Sequence, residues 1–460
     1  MPLPRGFRTL LAILPPLTLA VAVAAAEISS VESAWVDTRL GIAMLVAVIA
    51  PICGTIAARL VSPGVDAVLV AIANMLLAIG AGTLYVLAKS SGLDSEFYTA
   101  IATRHGLFIG LGAVGLVAGV FSERYLERMA RYPFSILGAA LVLTVVTFLF
   151  GESVNGARLW LQAGPIRFQP SEFARFLIAT FAAIYLFDRR HLVSFPWRIG
   201  SLDLPPLPYL LPLAGAILAA AAVLVFQNDL GMAALVILGA FASVVSVVSS
   251  RGALVMVTGV LAIAVSGAYF TVSRVRDRVA GWLDPWQDPA GRGFQFVQAE
   301  YALAAGGMAG DGRALRNQNV PEVHTDLILV AIGNQFGWFA TSAALALSGL
   351  LICRCVLAAI RGRDEWRSLF AFSISALLGI QVLLIVGGTL RVIPLTGLTL
   401  PLLSYGGSSM IVTMFALGLV AGIGAATPPR KGLAMSGVDE ATSIRNTLGR
   451  SATNREAITA

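Results

Sequence analysis

The stretch VPEVHTDLI, residues 320–328, sets His324, Thr325 and Asp326 against the start of an apolar run that continues to residue 359. A run that long exceeds the ~20 residues a helix needs to cross a bilayer. The polar residues before it can be read in two ways. Thr and Asp commonly satisfy free N–H groups at a helix start. Alternatively, the carboxylate works at the mouth of a membrane-embedded site. The rest of the chain bears on the choice.

Of 460 residues, 57% are hydrophobic and 12% charged, far from soluble averages. Apolar stretches near 8–26, 39–61, 64–88, 104–121, 133–151, 171–187, 207–226, 230–249, 252–272, 327–359, 368–390 and 408–425 give about twelve spans. The expected fold is an all-α polytopic membrane protein. A barrel would show alternating strands of ~10 residues, a pattern this sequence lacks.

The basic residues orient the spans. Arg5, Arg8, Arg124, Arg128, Arg131, Arg189, Arg190, Arg198, Arg251, Arg354, Arg361, Arg363, Arg367, Arg430 and Lys431 fall on one side if both termini are cytoplasmic. The net charge of +7 is then topological, and no nucleic-acid partner is implied. The first span ends AVAVAAAE, which has the form of a signal-peptide cleavage site. Retention is expected, and cleavage would leave the remaining topology unchanged. The three cysteines sit in or beside spans and suggest no disulfide framework. The tail 427–460 is expected to be mobile cytoplasmic chain.

The unusual polar segments all fall on the outer side: 155–176, FQNDLG (226–231), the loop 273–326 and PLTGLTLPLLSYGGSS (394–409). Glu172 and Arg175 lie three apart and share a helix face. Asp229 suits the cap of the helix that follows it. Ser408 and Ser409 suit the cap of the last helix, and the glycines of SYGGSS permit close backbone approach. In the long loop, Trp282 and Trp286 fit a membrane interface, and GFQFVQAEYALAAGG fits a short surface helix.

Five segments, NGARLWLQAGPIRFQPSEFARF, FQNDLG, LDPWQDPAGRGFQFVQAEYALAAGG, VPEVHTDLI and PLTGLTLPLLSYGGSS, resemble in order and topology the SEDS family, which includes RodA, FtsW and SpoVE. The resemblance covers about residues 64 to 426 and leans towards RodA. It implies a core of about ten helices, preceded in residues 1–63 by two further spans. The implied activity is an inverting peptidoglycan glycosyltransferase, polymerising lipid II at the outer face of the cytoplasmic membrane for elongation or division. The donor is the glycan on undecaprenyl pyrophosphate, and the partner is a class B penicillin-binding protein.

Such a reaction needs a base for the acceptor hydroxyl and positive charge at the departing pyrophosphate. On the resemblance Asp326 is the base, with His324 orienting it or contacting phosphate. A helix N-terminus would lower the Asp326 pKa and burial would raise it. Arg158, Arg167, Arg175 and Arg391 are candidates for the leaving group, with Trp160 beside Arg158 and Glu172 orienting Arg175. Ser404, Tyr405, Gly406, Gly407 and Ser408 are expected to shape the pocket. No tightly bound metal or other cofactor is expected.

The chain departs from the family pattern at several points. Arg175 replaces the usual lysine, and Asn334 and Gln335 replace two glutamates. TDL stands for TDF, and NDLGM for PDLGT. Two other functions fit the same motifs: a flippase for a lipid-linked sugar, and a non-catalytic scaffold activating a penicillin-binding protein. The bare inner side argues against the first, and retention of Asp326 against the second.

Overall fold

The computed structural model describes residues 13–16, 38–90, 95–154, 156–163, 166–193, 197–199, 202–248, 251–311 and 320–425. Apart from 13–16, the expected span 8–26 lies outside them, as does the tail 427–460. The first long helices are α1 Thr38–Val61, α2 Ala67–Ser90, α3 Ser95–Ser122, α4 Pro133–Phe150, α5 Pro170–Val193, α6 Leu207–Phe226, α7 Leu230–Val247 and α8 Arg251–Thr271. The long loop carries α9 Ser273–Leu283 and α10 Phe294–Gly306, followed by α11 Ile328–Ile360, α12 Glu365–Thr389 and α13 Gly407–Ile423. Among the described residues, ten helices are long and apolar enough to cross a membrane; α13, with 17 residues, is shorter.

α3 starts well before the apolar run at 104, because SEFYTAIATRH continues the helix through polar residues, with Glu96 in a first turn that favours acids. This extension carries Phe97 and Tyr98 and leads into Arg104 and His105. Further along, α3 packs through glycine on two sides. Gly106 meets Ala43 of α1, and Gly112, Gly115 and Gly119 meet Met410, Ile411 and Phe415 of α13. In lipid, such close backbone approach supplies packing that hydrophobicity cannot. α5 lies in the interior, with 83% of its apolar window buried against 6% for α8.

One end of the bundle carries the irregular polar segments and a three-stranded antiparallel sheet: β1 Glu152–Val154, β2 Ala157–Ala163 and β3 Ile166–Phe168, with Leu161 opposite Phe168. The alternation in ARLWLQA is a strand pattern, inside the stretch 155–176 expected only to be polar and on the outer side. The opposite end carries the hairpin of β4 Trp197–Ile199 and β5 Leu202–Leu204. Arginines there tie helices together. Arg354 lies 2.9 Å from Asp66, and Arg367 lies 2.9 Å from Glu123.

α11 is broken at Gly337 (φ 78°, ψ −177°). The turn after α10 fits into the break: Trp338 N–H donates to Gly307 C=O (3.0 Å) and Asp311 N–H to Asn334 C=O (2.9 Å). α10 buries Phe296, Val297, Ala299 and Ala302, so it is a packed element and does not lie free along a surface.

Candidate active site

Between α12 and α13 the chain crosses the loop end of the bundle as an irregular segment, with positive φ at Arg391, Gly397 and Leu402. Gln381 Nε2 holds Thr399 C=O at 2.7 Å, and Thr399 Oγ1 donates to Ser409 Oγ at 3.0 Å. Ser404 Oγ accepts from Leu400 N–H (2.9 Å) and donates to Thr325 C=O (2.6 Å). Tyr405 N–H donates to His324 C=O at 2.8 Å. The SYGGSS motif and the HTD turn are therefore held together by direct hydrogen bonds.

Residues 321–327 form turns, and α11 begins only at Ile328, with Leu327 in the cap position and no side-chain cap. The capping roles expected for Thr325 and Asp326 are corrected. The Thr325 hydroxyl is within reach of Glu322 C=O (3.2 Å) and Glu322 Oε2 (3.1 Å). Ser408 and Ser409 do not cap α13 either. Ser408 Oγ accepts from Gln169 N–H at 2.9 Å, joining α13 to the chain before α5.

Asp326 faces Arg278 of α9 across Gly397. A Cβ on Gly397 would lie 3.6 Å from Arg278 Nη2 and 3.7 Å from Asp326 Oδ2. Arg278 also donates to Thr396 C=O at 3.3 Å. Asp229 caps α7, accepting from Met232 N–H at 3.1 Å, with Ser171 Oγ 3.5 Å away. Asp229 and Asp326 both act on Arg278.

Burial pushes Asp326 up to about 7; Glu322 adds to the shift and Arg278 opposes it. Asp326 is part-exposed by surface yet crowded by protein atoms, as expected of a group lining a cavity. Of the two opposed effects on its pKa, loss of water is the larger. Burial also raises Asp229, to about 6, with Met232 N–H opposing. His324 is held below its usual value by burial, which keeps its ring neutral at pH 7. A carboxylate titrating near 7 beside a guanidinium can accept a proton while the cation stabilises negative charge.

The expected arginines are placed differently. Arg175 is fully buried, 2.6 Å from Glu172 Oε2 and 2.7 Å from Gln381 Oε1. Arg391 pairs with Glu300 (2.9 Å) and donates to the Trp282 and Leu283 carbonyls, while Trp282 Nε1 donates back to Arg391 C=O. Both guanidiniums are engaged by protein groups, and the arginine placed beside Asp326 is Arg278. Arg158 and Arg167 are exposed on the sheet, and Trp160 is half-buried opposite Glu152. Gly407 packs on the Phe108 ring, and Gly406 lies against Thr399 and Ser409.

Asn334 donates to Ala302 C=O at 3.0 Å, tying α11 to α10, while both side-chain polar atoms of Gln335 are buried without a hydrogen-bond partner. Sequence reasoning missed Arg278, whose signal was the i,i+4 pair Arg274 and Arg278 in SRVRDRV. It also saw Asp229 only as a cap. Among the described residues no group of three or more His, Cys, Asp or Glu could hold a metal ion.

The profile of the cell cycle proteins FtsW, RodA and SpoVE matches residues 66–427. The chain belongs to this family. Peptidoglycan glycosyltransferase RodA of Mycobacterium tuberculosis is 33% identical over 385 residues, covering 82% of this chain and 81% of the relative. Stage V sporulation protein E of Bacillus subtilis is 30% identical over 369 residues, covering 77% and 95%. Among solved structures, a chain from work on the structural coordination of polymerization and crosslinking by a peptidoglycan synthase complex is 31% identical, with TM-score 0.63, covering 78% of this chain and 97% of that one. The crystal structure of Thermus thermophilus RodA is 27% identical, with TM-score 0.55, covering 78% and 96%. Like its FtsW/RodA/SpoVE relatives of known structure, this chain is a multi-pass helical membrane protein.

Proposed function

We propose that this chain is an inverting peptidoglycan glycosyltransferase that polymerises lipid II at the outer face of the cytoplasmic membrane, paired with a class B penicillin-binding protein. The observation that carries the reading is Asp326 beside Arg278 at the loop end of the bundle, in a chain whose relatives bear that enzyme name. The distribution of arginines supports placing that end outside and both termini inside.

In this reading Asp326 takes the proton of the acceptor sugar's hydroxyl as its oxygen bonds to the donor's anomeric carbon. The bond from that carbon to the pyrophosphate oxygen breaks, and Arg278 stabilises the charge left on the pyrophosphate. Asp229 adds its charge to that of Asp326 in favouring the Arg278 cation, and the Ser404 and Tyr405 bonds fix the turn that carries Asp326. The reading includes no tightly bound metal, and a stoichiometric metal in the purified protein would count against it.

The test is glycan formation from lipid II by the purified chain, alone and with its partner. Product that requires this chain supports the reading. No product even with the partner would favour the scaffold, and lipid II translocation in sealed vesicles without polymer would favour the flippase.

A further inference from the structure

The end of the bundle opposite the irregular polar segments sorts its arginines into two sets. Arg354 pairs with Asp66 at 2.9 Å and Arg190 with Glu365 at 3.2 Å. Arg367 gathers Glu123 (2.9 Å), Glu127 (3.1 Å) and Asp364. Arg124, Arg128 and Arg131 form the second set. All three are exposed, and among the described residues none lies within ion-pair distance of a carboxylate.

The local structure explains the sorting. After α3 the chain runs through a 3-10 turn, Glu123–Tyr125, and a short helix, Leu126–Met129. Leu126 is fully buried and anchors the segment, and Glu123 lies against Gly422 at the far end of α13. The acids of ERYLERMAR, Glu123 and Glu127, are four apart, and both reach Arg367 of α12. Arg124, Arg128 and Arg131 are spaced by four and three, which keeps them on one side of a helical segment. The protein thus neutralises the segment's acids and leaves its bases uncompensated.

Aromatic rings accompany these bases. The Arg124 guanidinium lies 4.5 Å from the centre of the Phe121 ring, that of Arg128 lies 5.4 Å from the Tyr125 ring, and the two rings are 5.6 Å apart. Phe121, Tyr125, Tyr132 and Phe134 are all exposed. At the end of a membrane bundle, tyrosines and neighbouring rings sit at headgroup depth. α4 then begins at Pro133 with no side-chain cap and no acid in its first turn, so its N-terminal N–H groups add partial positive charge next to Arg131. Arg361 and Arg363, exposed in the turn between α11 and α12 at the same end, have no ring contact among the described residues.

We propose that Arg124, Arg128 and Arg131, with the Phe121 and Tyr125 rings, bind the headgroup of an anionic glycerophospholipid in the leaflet at that end of the bundle. Guanidinium forks match phosphodiester oxygens, and stacking on the rings holds them in place. A lipid pairs with the arginines and covers the exposed rings at once, whereas an acidic soluble segment would satisfy only the charge. The site is separate from the one around Asp326 and does not depend on the glycosyltransferase reading.

The test is saturation binding of phosphatidylglycerol to the detergent-solubilised full chain, with phosphatidylcholine as the blank and a polyglutamate peptide as a competitor. Wild type is expected to bind phosphatidylglycerol saturably and phosphatidylcholine not, with no displacement by the peptide. The triple variant Arg124→Gln/Arg128→Gln/Arg131→Gln should weaken phosphatidylglycerol binding by about tenfold or more, and Arg128→Gln alone by less. The control Arg361→Gln/Arg363→Gln removes the same kind of charge from the same end and should bind as wild type does. Unfolding temperatures without lipid show that each variant is folded.

Equal binding of the two lipids, or a triple variant that binds as wild type does, overturns the site. A control that loses as much as the triple variant also overturns it, since the general charge of that end would then suffice. Displacement by polyglutamate would assign the patch to an acidic protein segment and overturn the lipid assignment.

Discussion

Replacing Arg278 by glutamine tests the link between geometry and proton transfer. Arg278 Nη2 and Asp326 Oδ2 lie 3.6 and 3.7 Å from one point, which places them within about 7 Å of each other. At an effective dielectric of ~20–40, suited to a cavity that admits water, that separation corresponds to about 1–2 kcal/mol. Removing the cation should therefore raise the Asp326 pKa, already about 7, by about one unit. The base works deprotonated, so activity rises with pH through its pKa, and the variant's rise should come about one unit later. The assay is log(kcat/KM) for lipid II against pH from 5.5 to 9 (about one unit beyond either expected pKa), with the partner present. Arg278→Gln also loses leaving-group stabilisation, which lowers the plateau, so the inflection and not the level is the readout. The same inflection in both proteins, or a flat profile in wild type, would refute the reasoning.

Other perturbations have different expected outcomes. Glu172→Gln leaves Arg175 buried without its counterion and should cost about 3–5 kcal/mol, read as a lower unfolding temperature in detergent; a change within error would contradict that. Gly337→Ala puts a methyl 2.5 Å from Gly310 N at a φ of 78°, so the turn after α10 should leave the break in α11. Faster proteolysis near 306–311 and reduced polymerisation would show it. Asp326→Asn should stabilise the fold increasingly as pH rises from about 4 to about 7. The wild-type carboxyl keeps its proton in the folded state over that window and gives it up when unfolded, so wild-type stability falls with pH there and the asparagine variant is spared the loss. Thermal unfolding of both proteins at pH 4.5, 6 and 8 (below, within and above that window) checks the sign.

The spans were legible in the sequence because a bilayer sets a length that apolar runs must match. α3 was misjudged at its start because the expected span begins at 104, while the helix reaches back through SEFYTAIAT to Ser95. The pairing of Glu172 with Arg175 followed from helical spacing, whereas the bond from Arg175 to Gln381 joins distant segments and leaves no local pattern. Asp326 was visible as a carboxylate at a helix mouth. Its neighbour Arg278 was not, since folding over Gly397 and Thr396 is what brings α9 to it. The same holds for His105 and Tyr405, whose rings lie 6.3 Å apart because the segment after α12 turns back across the bundle end.

The most direct measurement is lipid II polymerisation by wild type and Asp326→Asn, purified with the same partner and compared for monodispersity and unfolding temperature. Asparagine keeps size and hydrogen-bonding capacity but cannot take the acceptor's proton. Glycan strands from wild type and none above background from a folded variant is the expected result. Equal product from both would contradict it and remove Asp326 from the chemistry.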